Sequence, residues 1–87
     1  MQWYLYLLEC KGGSYYAGIS TDPQARFRAH QAGTGAKYTR AHPPLRILAM
    51  RPYPDRSSAS VAEARLKKIR REKKLDFFTE TQLPING

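Results

Sequence analysis

Cysteine, histidine, acidic residues and long apolar runs are what this 87-residue sequence has least of. A lone Cys10 cannot form an intramolecular disulfide, so a reducing, cytosolic setting is expected. One cysteine and two histidines are too few for a structural zinc cluster. The longest apolar run, Trp3 to Leu8, is six residues, against roughly 20 for a membrane-spanning helix. It has neither a basic segment before it nor a small-residue cleavage site after it, so neither secretion nor membrane insertion is expected. Seven acidic residues stand against fifteen Lys and Arg, giving a net charge of +8. Such a chain seeks polyanions, and nucleic acid is the commonest one. Charge alone does not establish that role, because small basic proteins also bind nucleic acid incidentally.

What is present is ordinary for a folded domain: 41% hydrophobic and 25% charged residues, with no repeat or low-complexity tract. Within residues 3–10, both alternating sets, Trp3/Leu5/Leu7 and Tyr4/Tyr6/Leu8, are apolar or aromatic, the pattern of a strand covered on both faces. Lys11-Gly12-Gly13-Ser14 is a turn signal, and Tyr15 to Ile19 reads as the returning strand. Asp22 and Pro23 announce a helix that should run to about Ala32 and stop at Gly33. An Ala25, Ala29 and Ala32 stripe is expected to face the sheet, with Arg26 and His30 beside it. Residues 33–44 read as a loop, 45–50 as a third strand closed by Pro52 and Pro54, and 57–71 as a second helix. That helix should bury Ala59, Ala62, Leu66 and Ile69, followed by a short helix at 75–78. The expected fold is α+β: a three-stranded, mainly antiparallel sheet flanked by helices, in the order β-β-α-β-α(-α). One domain over residues 1–80 and a tail over 81–87 complete the reading.

The motifs are weak singly. Tyr6 and the Tyr16-Ala17-Gly18 segment sit on the hairpin, where tyrosine is a favoured packing residue. Arg26 and His30, four apart, project from one helix face. Glu63 is the lone acid between Asp55 and Glu72, and three readings fit it. It could close a capping box with Ser60, pair with Lys67 one turn on, or serve as the single carboxylate that Mg²⁺ often takes from a protein. Lys37, Tyr38 and Arg40 lie in a Gly-rich segment suited to gripping a backbone. The run from Arg65 to Lys74, Lys67 included, has seven basic residues in ten. A thiol–imidazole pair of Cys10 with His30 or His42 lacks any orienting third group.

In order and spacing, these pieces resemble the GIY-YIG endonuclease family, in its short single-domain bacterial branch. Tyr4-Leu5-Tyr6 stands for the first tripeptide and Tyr16-Ala17-Gly18 for the second. Arg26, His30, the G-T-G-A-K-Y-T-R segment and Glu63 follow, so the resemblance spans about residues 3–75. The first tripeptide keeps only its final Tyr, and the second has Ala in place of Ile.

The resemblance implies metal-dependent hydrolysis of a nucleic-acid phosphodiester, most readily DNA, with one Mg²⁺ or Mn²⁺ on Glu63. It further implies catalytic roles for Tyr6, Tyr16, Arg26 and His30, and a structural role for Gly18. Tyr6 is the expected general base, with Tyr16 orienting the water or sharing the proton. His30 would hydrogen-bond a tyrosine hydroxyl or help to relay the proton, and Arg26 would hold a phosphate oxygen. The sequence leaves open which tyrosine acts. DNA repair is the process such an enzyme would serve. Structure-selective rather than sequence-selective cutting is expected from so small a domain. The alternatives are a sequence-tolerant nucleic-acid-binding module on the same scaffold, and a basic partner of an acidic protein surface. One geometric condition follows for the site. Tyr6 and Tyr16 must share a face of the hairpin, which a two-residue turn forbids and a three- or five-residue loop, or a bulge, allows.

Overall fold

A computed structural model describes residues 1–80, and the expected 81–87 tail lies outside the described residues. The elements are β1 (Trp3–Cys10), β2 (Tyr15–Ser20), α1 (Pro23–Gln31), α2 (Lys37–Ala41), β3 (Pro44–Tyr53), α3 (Arg56–Lys67), a 3₁₀ turn (Arg71–Lys73) and α4 (Lys74–Glu80). The strands form an antiparallel sheet in the order β2-β1-β3. The fold is therefore α+β, as the order of elements predicts. The central position of β1 explains its apolar run, since Leu5 through Leu8 are buried on alternating faces.

The two faces have different covers. On one, Leu5, Leu7 and Ala17 pack against Ala62 and Leu66 of α3 and Phe78 of α4. On the other, Tyr6, Leu8 and Cys10 pack with Tyr16, Phe27 of α1 and Ile47 of β3. Cys10 is fully buried there, and burial pushes its thiol pKa up.

The hairpin turn sets which side chains share a face. Cys10 and Ser14 close it, with Cys10 N donating to Ser14 O at 2.8 Å and Gly13 N to Cys10 O at 2.9 Å. Three residues, Lys11 to Gly13, lie between. Gly12 and Gly13 both have φ near +90°, a region that other residues avoid. Arg71 ties the turn to the far end of the chain, its Nε donating to Gly13 O at 2.6 Å. The resulting register pairs Tyr6 with Gly18 and Leu8 with Tyr16, placing both tyrosines on one face.

Four local expectations are corrected. The 33–44 segment contains a short helix, α2, held in place by side-chain contacts from α1. β3 is longer than 45–50 and continues through Pro52, which an edge strand tolerates because one side needs no ladder bonds. α3 ends at Lys67 rather than 71, because the Leu66 carbonyl is taken by Ile69 N at 3.0 Å and Lys74 Nζ at 2.8 Å. It is capped by Asp55, whose carboxylate accepts from Ser58 N at 2.8 Å, so no capping box at Ser60 is used. Nor is α1 seated on its alanines. Ala32 is exposed, and Pro23, Phe27 and His30 face the sheet instead.

Candidate active site

Tyr6 lies at the middle of the central strand, directly across from Gly18. Its ring extends over the glycine so closely that a Cβ there would sit 2.6 Å from Tyr6 Cζ and collide with the hydroxyl. The glycine is thus the space through which the phenol reaches out. Tyr6 Oη meets His30 Nε2 at 3.1 Å, and both groups are buried.

His30 comes from α1, whose start is fixed by Asp22 accepting from Ala25 N at 3.1 Å and by Pro23 in its first turn. A histidine is rarely this buried unless both ring nitrogens are satisfied. Here Nδ1 lies 2.8 Å from Thr39 Oγ1 and 3.3 Å from Ala36 N. Gly35 lies under the ring, where any Cβ would strike Nδ1. Burial, and then the nearby Arg26 charge, hold the imidazole below its ordinary pKa, so it is neutral at pH 7. The thiol–imidazole alternative therefore fails for His30, whose ring nitrogens face Tyr6, Thr39 and Ala36.

Tyr16 sits edge-on to His30, with ring centres 5.1 Å apart, and stacks with Tyr38 at 6.0 Å. His42 stacks on the other side of Tyr38 at 4.6 Å. A groove of about 280 Å³ opens beside this row, lined by Tyr15, Tyr16, Ala17, Tyr38, Lys67 and Lys74. Arg71 lies over the Tyr15 ring at 4.5 Å. Burial, followed by the neighbouring Lys67, lowers the Lys74 pKa, so two like charges converge at the groove.

The structure thus brings Tyr6, Tyr16 and His30 together directly. Arg26 is solvent-exposed on the same helix, and its guanidinium is near enough to pull the Tyr6 pKa down. Glu63 is near enough for its carboxylate to raise the Tyr6 pKa, while its Oε2 pairs with Lys67 Nζ at 3.1 Å. The net effect on Tyr6 is upward from 10.0, with burial first and Tyr16 second, outweighing Arg26. Lys37 and Arg40 are exposed on α2, Tyr38 joins the aromatic row, and Lys67 reaches the groove. Three contributors are not singled out individually by the sequence: Thr39, Gly35 and Lys74. Only the Gly-rich spacing of 33–39 points toward the first two.

Among the described residues no three His, Cys, Asp or Glu side chains converge as a metal cage. Glu63 alone suits a hard cation that takes one carboxylate and fills its shell with water and phosphate oxygens. No helix among the described residues is long and apolar enough to cross a membrane.

An α+β domain with a buried tyrosine–histidine pair, an adjacent arginine and a basic groove has the layout of a catalytic domain. A family model described as the GIY-YIG catalytic domain matches residues 2–76, and the chain belongs to that family. Its relatives are more particular. A UPF0213 protein of Xanthomonas axonopodis pv. citri is 62% identical over 76 residues, covering 87% of this chain and 74% of the relative. A UPF0213 protein of Cupriavidus pinatubonensis is 51% identical over 95% of this chain and 92% of its own length. Among solved structures, the solution NMR structure of a UPF0213 protein from Bacillus halodurans is similar, with 39% identity and a TM-score of 0.56. It is covered over 89% of its length and 97% of this chain. A protein from E. faecalis gives 36% identity and a TM-score of 0.65, over 93% of its length and 100% of this chain.

Proposed function

We propose that this protein is a metal-dependent endonuclease that hydrolyses nucleic-acid phosphodiesters, DNA foremost, selecting structure rather than sequence. The observation that carries the reading is the hydrogen-bonded Tyr6–His30 pair, flanked by Tyr16 and Arg26, in a chain of the GIY-YIG family. Family membership supports nuclease chemistry, and the cluster supplies groups able to perform it.

Glu63 would hold one Mg²⁺ or Mn²⁺, which when bound supplies charge neutralisation at the scissile phosphate. The Arg26 guanidinium holds a non-bridging oxygen and offsets the charge that builds on it. Tyr6 first loses its own proton to solvent and then accepts one from the attacking water. Its raised pKa in the free protein means that this state forms only when cationic charge gathers at the site. Tyr16 orients the water. Lys37, Tyr38, Arg40 and Lys67, with the groove that Tyr38 and Lys67 line, hold the backbone, and their grip should weaken steeply with salt. A cytosolic setting and a role in DNA repair accord with the reduced Cys10 and the basic surface.

The test is cleavage of duplex, nicked, flapped and single-stranded DNAs with Mg²⁺, Mn²⁺ or chelator, comparing wild type with Glu63→Ala. Metal-dependent cutting that falls by at least about 10²-fold in Glu63→Ala is expected. The second reading, a binding module, draws on the Lys67–Glu63 ion pair, which already occupies the carboxylate. Salt-sensitive binding without cutting, equal in both proteins and indifferent to chelator, would establish it instead.

A further inference from the structure

We propose that the Gly35–Thr39 segment locks His30 in the tautomer with hydrogen on Nε2, making it a fixed hydrogen-bond donor to Tyr6 Oη rather than a base or proton relay. Thr39 is then a positioning residue of the site.

One proton beside the His30 ring cannot move. The Ala36 N–H is fixed by the backbone and points at His30 Nδ1, with a nitrogen–nitrogen distance of 3.3 Å. Two hydrogens cannot face each other across that gap, so Nδ1 must present its lone pair. The Thr39 hydroxyl, by contrast, rotates freely. Its oxygen is 2.8 Å from Nδ1 and 2.9 Å from Ala36 O, and its single proton can serve only one of them. Turned toward Nδ1, it shares the one Nδ1 lone pair with the Ala36 N–H and gives up its bond to Ala36 O. A neutral imidazole with an accepting Nδ1 carries its hydrogen on Nε2. Nε2 faces Tyr6 Oη at 3.1 Å, so histidine gives and the phenol oxygen receives.

The surroundings enforce this arrangement. His30 has no exposed surface, and the missing side chain of Gly35 makes room for its Nδ1 edge. The groups around the ring are Tyr6 from β1, Tyr16 from β2, Arg26 from α1, and Ala36 and Thr39 from the α2 region. None is a carboxylate that would favour a second proton on the ring.

Two consequences follow. The Tyr6 hydroxyl proton points away from His30. A donor aimed at the phenol oxygen stabilises its charged form more than its neutral form. This second consequence rests on the nuclease reading above, with Tyr6 as proton acceptor; the tautomer does not.

The first experiment is ¹⁵N NMR of the histidine rings in the wild-type protein at neutral pH. An unprotonated Nδ1 and a protonated Nε2 at His30 are expected; the reverse assignment would overturn the lock. The second is cleavage kinetics of Thr39→Val and Thr39→Ser. Loss of this one hydrogen bond in Thr39→Val should lower kcat about tenfold with KM unchanged, and Thr39→Ser should restore it. Wild-type kcat in Thr39→Val, or equal impairment in both variants, would defeat the positioning role. The two readings separate cleanly. The expected tautomer without any cleavage leaves the lock intact and rejects the nuclease, whereas metal-dependent cleavage with hydrogen on Nδ1 does the opposite. Should Thr39→Val fail to fold, the wild-type spectrum alone decides.

Discussion

The two faces of the sheet are made from the same strands and do different work. Leu5, Leu7 and Ala17 point to one side and join an apolar cluster with Ala62, Leu66 and Phe78 of α3 and α4. Tyr6, Tyr16 and Gly18, their immediate neighbours in sequence, point to the other side and join a hydrogen-bonded network with His30 and Thr39. Strand alternation lets one stretch of chain supply a core that needs only volume and a site that needs angles. The first tolerates substitution by size, and the second does not.

That contrast is sharpest when each face is cut in turn. Leu7→Ala should cost about 2–5 kcal/mol of stability, read by chemical denaturation. Cleavage per folded molecule should stay near wild type, and a fall beyond the unfolded fraction would show that the faces are coupled. Gly18→Ala should cost less, about 1–3 kcal/mol from overpacking. Its cleavage should fall on the order of 10²-fold, because the Tyr6 hydroxyl must move. Equal activity in Gly18→Ala would mean that the phenol position does not matter. The smallest effect is that of pH on the networked face. The His30 pKa in the folded state lies below its unfolded value of 6.5. The unfolded chain therefore binds the proton first, and stability is full above pH 6.5 and falls as pH drops below it. The urea midpoint should decrease from about pH 7.5 to about pH 5.5, and the decrease should shrink in His30→Gln.

The apolar face was the more legible from sequence. The continuous run in β1 marks a central strand, and Ala62 and Leu66 repeat at helical spacing. Gly12, Gly33 and Pro23 punctuate the elements where backbone geometry demands them. The networked face was legible only at Tyr6, Tyr16, Arg26 and His30, through their spacing and order. Thr39 and Gly35 escaped because their roles are tertiary: a five-residue helix has little intrinsic stability, and α2 exists against His30 rather than by propensity. The end of α3 escaped for a related reason, since Lys74 competes from eight residues away for the Leu66 carbonyl.

Gly18 and Gly35 hold the two ends of the Tyr6–His30–Thr39 chain by being empty. Every other amino acid is larger than glycine, so no conservative replacement exists at either position. On the nuclease reading, a lineage could exchange leucines in the opposite face for generations and still cleave. A single missense change at either glycine would disarm it while leaving the basic surface and the groove in place. On that reading, the distance between severing nucleic acid and merely holding it is one methyl group.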